Sequence, residues 1–163
     1  MPEETIDQGL LEQTKNQIRK LVSEIAELAE ADIQPTEFYV EFLNRVVAAV
    51  AAHGGAIWLL DGRGTLKLQH QLEFRLTGLL DGRARTQPHD ALLGCMLQVT
   101  QAQIVPPGAA VEGVPGAGNP TPYALIIAPL IVDKQVVGLV EILMDPNRRA
   151  VTQKSTVRFV SDL

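Results

Sequence analysis

The chain has 163 residues, 46% apolar and 20% charged, a size and composition that suit one globular domain able to bury a core of its own. Its formal charge of −5 excludes a nucleic-acid surface, which needs clustered Lys and Arg to displace phosphate counterions. A single cysteine, Cys95, excludes an internal disulfide framework and fits a reducing compartment.

The apolar residues Leu11, Ile18, Leu21, Ile25 and Leu28 follow a three-four alternation broken only by Thr14, which predicts a helix over residues 10–28. With Ile18 and Ile25 at a positions and Leu21 and Leu28 at d positions, the pattern suits parallel two-stranded packing and hence a homodimer helix. Val22 and Ala29 widen the stripe, so the helix also suits packing on its own domain, and both readings stay open. Pro35 interrupts helical geometry at Gln34 and is suited to a first helical turn. A second helix is therefore expected, with Phe38, Phe42, Leu43, Val46, Val47 and Val50 as its apolar face, ending at His53-Gly54-Gly55. Residues 1–33 thus read as an amphipathic signalling or dimerisation helix, and 34–163 as the globular domain.

Ala56–Leu60 is a short apolar strand, 61–64 (Asp-Gly-Arg-Gly) a turn, and Leu66–Phe74 alternates strictly, as expected of an outermost strand with one wet face. Pro88-His89-Asp90 predicts a helix start, with His89 or Asp90 near the cap and the helix running over residues 91–100. Gln103–Val105 reads as a brief strand. Pro106–Pro122, with five prolines and four glycines in seventeen residues, reads as a loop, ordered or mobile. Tyr123–Val132 and Val136–Met144 are β-branched apolar runs separated by Asp133-Lys134-Gln135, which predicts a hairpin of inner strands buried on both faces. A further helical pattern runs through Val157 and Val160 to the last residue, as in a piece cut from a longer protein. No apolar run reaches the roughly 20 residues that cross a bilayer, and the Met-Pro-Glu-Glu start is unlike an export signal. A cytoplasmic location without membrane insertion is expected.

Cys95 lies among Leu93, Gly94, Met96 and Leu97, which supply no positive charge to activate a thiol, so an inert core position is expected. The three histidines, His53, His70 and His89, have no ligand spacing, and no metal site is expected. His70 is read as a satisfied histidine and Tyr123 as a packing residue. Glu141 inside an apolar strand needs a partner if buried; an exposed or interfacial place is the preferred reading. The glycines of 113–118 match neither dinucleotide nor P-loop spacing, and Pro115 removes an N–H that a phosphate cradle would use.

The order helix, helix, hairpin, helix, short strand, long loop, apolar hairpin, helix resembles GAF domains, small-molecule sensor modules related to PAS domains. The resemblance covers residues 36–163 and is carried by the stretch 55–62 (Gly-Ala-Ile-Trp-Leu-Leu-Asp-Gly) and by 128–142, from Ala128 through Asp133-Lys134 to Ile142. It implies an α+β (α/β sandwich) fold with a central antiparallel sheet of five to six strands. N- and C-terminal helices would lie on one face, with a short helix and loops on the other. It also implies a ligand cavity beside the Cys95 helix, lined by Leu92, Cys95, Met96, Val105, Tyr123 and Leu125, for an unknown small and partly apolar ligand. Subfamily markers depart from the pattern: no Asn-Lys pair of cyclic-nucleotide binders occurs, Cys95 is followed by Met96 rather than the histidine of bilin binders, and one thiol cannot run a reductase disulfide cycle. The implied function is a non-catalytic sensory or regulatory module within a larger protein. The alternative is a ligand-free dimerisation or scaffold domain of a multidomain, membrane-associated protein.

Overall fold

The computed structural model describes residues 34–77, 79 and 83–147, together with residues 16, 19, 20, 23, 24 and 27, which have helical geometry. Leu11, Ile18, Leu21, Ile25 and Leu28, the expected dimer stripe, and the expected terminal helix 152–163 lie outside the described residues. Five strands, β1 (Gly54–Leu60), β2 (Leu66–Leu72), β3 (Gln103–Val105), β4 (Ala124–Val132) and β5 (Gln135–Met144), form one sheet in the order β2-β1-β5-β4-β3. All four pairings are antiparallel. The apolar hairpin therefore supplies inner strands and Leu66–Leu72 an edge, as the alternation of its residues predicts.

Helix α1 (Pro35–Ala49) covers one face of the sheet. It starts where Pro35 fixes the first helical turn, and its Leu43 and Val46 are fully buried against Ile57, Ile126, Val140 and Ile142. Arg45 of this helix lies 3.7 Å from Glu24, which places the preceding helical residues beside it. The other face carries helix α2 (Arg83–Met96), whose Leu92, Leu93 and Met96 pack with Phe74, Leu125, Ile127, Leu139 and Leu143. Each fully buried aliphatic or aromatic side chain in these two layers contributes about 1.5–3 kcal/mol.

Several boundaries differ from the expectation: α1 ends at Ala49 rather than at His53-Gly54-Gly55, and those two glycines open β1 instead of capping the helix. Phe74 does not continue β2: Glu73 takes φ +53°, Gln71 Oε1 accepts the Phe74 N–H at 3.0 Å, and Phe74–Thr77 forms a 3₁₀ turn that drops the ring into the α2-side core. Helix α2 starts at Arg83, ahead of Pro88, and ends at Met96. Pro88 is internal although its ring removes one helical N–H, so His89 is a helix-interior residue rather than a cap. Burial of His89, Leu92 and Leu93 against the sheet offsets the local cost of the proline. Pro129 sits within β4 beyond Leu125–Ile127, the stretch paired with β3; the outer flank of β4 is an edge there, where proline is tolerated.

The proline- and glycine-rich loop is ordered by Asn119. Its Nδ2 hydrogens reach the carbonyls of Val105, Pro106 and Tyr123 at 2.7–3.1 Å, and its Oδ1 accepts from Thr121. Gly118 N–H donates to the Pro88 carbonyl at 3.1 Å, which ties this loop to α2.

In the β1–β2 turn, Asp61 Oδ1 accepts the backbone N–H groups of Thr65 and Arg63, and these bonds hold its carboxyl below the usual aspartate range. A lowered folded pKa stabilises the turn fully above the unfolded value of about 3.9, and that contribution is lost as pH falls through the folded value. The Arg63 and Thr65 amides are expected to lose protection from exchange over that acid window, and Asp61→Ala to remove the protection at neutral pH. Unchanged NMR protection factors on acidification would contradict this.

Candidate functional site

Alternation along β5 sends Val140, Ile142 and Met144 into the α1 side and Leu139, Glu141 and Leu143 into the α2 side. Glu141 therefore points into an apolar layer, and it is fully buried. The expectation of an exposed or interfacial Glu141 is overturned: β5 is the middle strand, and its α2-side face is closed by α2 and the 3₁₀ turn.

A buried carboxylate persists only where its oxygens are partnered. Trp58 of β1 donates its Nε1–H to Glu141 Oε1 at 3.0 Å, and His89 Nε2 lies 2.6 Å from Oε2. With the carboxylate as acceptor, His89 carries a proton on Nε2; its other nitrogen, Nδ1, is 3.9 Å from Asp90 Oδ1. The rings of Trp58, Phe74 and His89 pack on one another with centroids 5.8–5.9 Å apart, Phe74 edge-on to the indole. Among the described residues no buried side-chain polar atom lacks a partner. His89 and Glu141 are 1% and 0% exposed, so the pair is sealed from solvent. Its role in this geometry is to fix the orientation of Trp58.

The half-buried indole lines a cleft of about 310 Å³ together with Gly64, Thr65, Leu66, Asp90, Leu93, Gly94 and Leu97. This cleft lies between α2 and the β1–β2 hairpin. On the opposite sheet face a second hollow of about 340 Å³ is lined almost entirely by apolar residues, among them Phe38, Phe42, Ile57, Leu59, Leu130 and Val137. Ile131 and Val132, exposed by 49% and 56%, stand at its rim. Both volumes fall at the lower end of the range of small-ligand sites, about 300–1,000 Å³.

The six residues expected around a ligand all belong to the hydrophobic layer on the α2 side of the sheet. Leu92, Met96, Val105 and Leu125 are buried in the α2-side core, with half-buried Cys95 and Tyr123 at its margin. None of them lines the cleft. The Tyr123 ring rests 5.3 Å from that of His53, and its carbonyl accepts from Asn119. His70 is half-buried on the edge strand. Trp58 was not singled out by the sequence; the available signal was Glu141 itself, a carboxylate sharing strand parity with Leu139 and Leu143 and so requiring a buried donor.

Solved structures similar to this one include several GAF domains. The GAF domain of A. aeolicus nlh2 in an inactive state superposes with a TM-score of 0.66 at 18% identity, covering 91% of each chain. The GAF domain of an Acinetobacter phosphoenolpyruvate-protein phosphotransferase superposes with a TM-score of 0.59 at 14% identity, covering 90% of this chain and 87% of that one. For the GAF domain of the Coxiella burnetii phosphoenolpyruvate-protein phosphotransferase the TM-score is 0.58 at 14% identity, covering 91% and 86%. No protein-family model and no curated protein matches the chain. The chain has a GAF-like fold, and at these identities the likeness is one of fold.

Proposed function

We propose that this domain is a non-catalytic sensory or regulatory module in which a small molecule in the α2 cleft alters the packing of the helices on the opposite sheet face. The observation that supports it is the run Ile57-Trp58-Leu59 of β1: Trp58 lines the cleft, while Ile57 and Leu59 line the hollow beside α1. A ligand pressing on Trp58, and through it on the core of Leu92, Cys95, Met96, Val105, Tyr123 and Leu125 on the same sheet face, moves a strand whose other side touches α1. Such coupling requires the ligand to prefer one of two arrangements of that strand. Residues 1–33 would carry the output as an amphipathic helix, pairing in a homodimer through Leu11, Ile18, Leu21, Ile25 and Leu28, with 34–163 as the sensing unit. The setting is a cytoplasmic part of a larger bacterial-type regulator; among the described residues no helix is long and apolar enough to cross a membrane.

The test is amide exchange by mass spectrometry on the full chain, with compounds first selected by thermal shift. A compound that protects the 58–66 and 90–97 segments is expected to change exchange in α1 as well. Binding at the cleft with α1 unaltered would overturn the coupling. A second reading, a ligand-free dimerisation element, is favoured by the filled core under α2 and the complete pairing of Glu141. It predicts no cleft binder and a concentration-dependent dimer in sedimentation.

A further inference from the structure

Resting on that reading of the α2 cleft as the ligand site, we infer that its ligand is a small organic cation, an ammonium or guanidinium group on an apolar body. The cleft offers one aromatic wall, Trp58, and one charged side chain, the carboxylate of Asp90; its other lining residues are Gly64, Thr65, Leu66, Leu93, Gly94 and Leu97. Lining of that kind rewards a ligand with an apolar body and one positive end. A cation over an indole is attracted through the ring quadrupole, most strongly of the aromatic side chains and more so where it is desolvated, and Trp58 is the aromatic side chain of this cleft.

The buried network strengthens this attraction. Glu141 accepts the Trp58 Nε1–H at 3.0 Å, which pushes electron density into the ring, since hydrogen bonds in a low-dielectric interior polarise one another. Phe74 and His89 pack against the indole and hold it in place, so ligand binding does not have to order it. The Asp90 side chain is 66% exposed and its nearest recorded partner, His89 Nδ1, is 3.9 Å away, so its oxygens are open to a donor on a ligand. The chain's formal charge of −5 adds a field that draws cations and disfavours anionic ligands such as nucleotides.

The lone tryptophan of the sequence is its own reporter. Two matched pairs serve as probes: choline with its uncharged carbon isostere dimethylbutanol, and phenethylammonium with phenethyl alcohol. Titrated into the full chain, at least one cation is expected to give a saturable change in Trp58 emission and to bind tenfold or more tightly than its neutral partner by calorimetry. Asp90→Asn, an exposed substitution, is expected to reduce that preference several-fold, the remainder being owed to Trp58. Trp58→Phe, followed by calorimetry, is expected to weaken the cation several-fold. Neutral partners that bind as well as the cations, with amide shifts confined to the cleft, overturn the cation and keep the cleft as a ligand site. A preference that neither Asp90→Asn nor Trp58→Phe diminishes also overturns it. No saturable binding by any of the four overturns both the cation and the use of this cleft, whereas α1 exchange tests the coupling separately.

Discussion

Replacing Glu141 with alanine is expected to destabilise the domain by about 3–5 kcal/mol, read from urea unfolding at neutral pH. The carboxylate is fully buried and holds both the Trp58 indole N–H and His89 Nε2. Its removal leaves two buried polar groups unpaired and opens a void in the layer of Phe74, Leu139 and Leu143. His89→Ala is expected to cost a similar amount, because it strands a buried carboxylate with only the indole as partner. In the double variant the losses should fall short of additivity by about 0.5–3 kcal/mol, since each single change already breaks the same contact. Glu141→Gln is expected to lose only about 1–2 kcal/mol: the amide oxygen still accepts from Trp58, and the amide N–H can donate to an imidazole protonated on Nδ1. Emission of Trp58 should shift to the red in the alanine variant as its packing loosens. An alanine variant within about 1 kcal/mol of the parent would refute the burial and pairing described for this cluster.

Gly138→Ala is the second large effect, expected to cost on the order of 3 kcal/mol and to lower Tm by roughly 10 °C. A Cβ at this position would stand 2.1 Å from the Trp58 carbonyl oxygen and 3.1 Å from Leu59 Cα, both backbone atoms of β1. Gly138 pairs with Leu59 on one side and Leu130 on the other, so neither neighbour can retreat without opening a ladder in the middle of the sheet. The same substitution at Gly94 makes the contrast: no atom lies within 4 Å of its virtual Cβ, and it sits near the end of α2. Gly94→Ala is expected to raise stability by about 0.5–1 kcal/mol through the greater helix propensity of alanine. If the two glycines proved equally tolerant, the close approach of β1 and β5 at Trp58 would be wrong.

Both expectations converge on one residue, Trp58. Gly138 sets how closely β5 approaches its carbonyl, and Glu141 sets the angle of its ring. Substitutions mild enough to leave the fold intact, such as Glu141→Gln, are therefore suited to testing the proposed role of Trp58 without unfolding the sheet.

Several elements could be read directly from local pattern. Strict alternation over Leu66–Leu72 marked an edge strand, and continuous β-branched runs marked β4 and β5 as inner strands; both placements hold in the sheet order. Pro35 and the face from Phe38 to Val50 marked α1. These signals are legible because a strand or helix face is defined by residues two to four apart in sequence. Where local chemistry and tertiary burial conflicted, burial won: α2 continues through Pro88, and β2 gives way to the turn that buries Phe74.

The amino-acid order alone determined the GAF-like architecture, including the parity that puts Glu141 on the same side as Leu139 and Leu143. It carried no sign of which donors would meet that carboxylate. His89 is 52 residues away and Trp58 is 83, and their convergence depends on where α2 crosses the sheet and on β1 lying next to β5. Periodicity specifies which way a side chain points, whereas what it meets is decided by packing between elements remote in sequence, and only the folded chain supplies that.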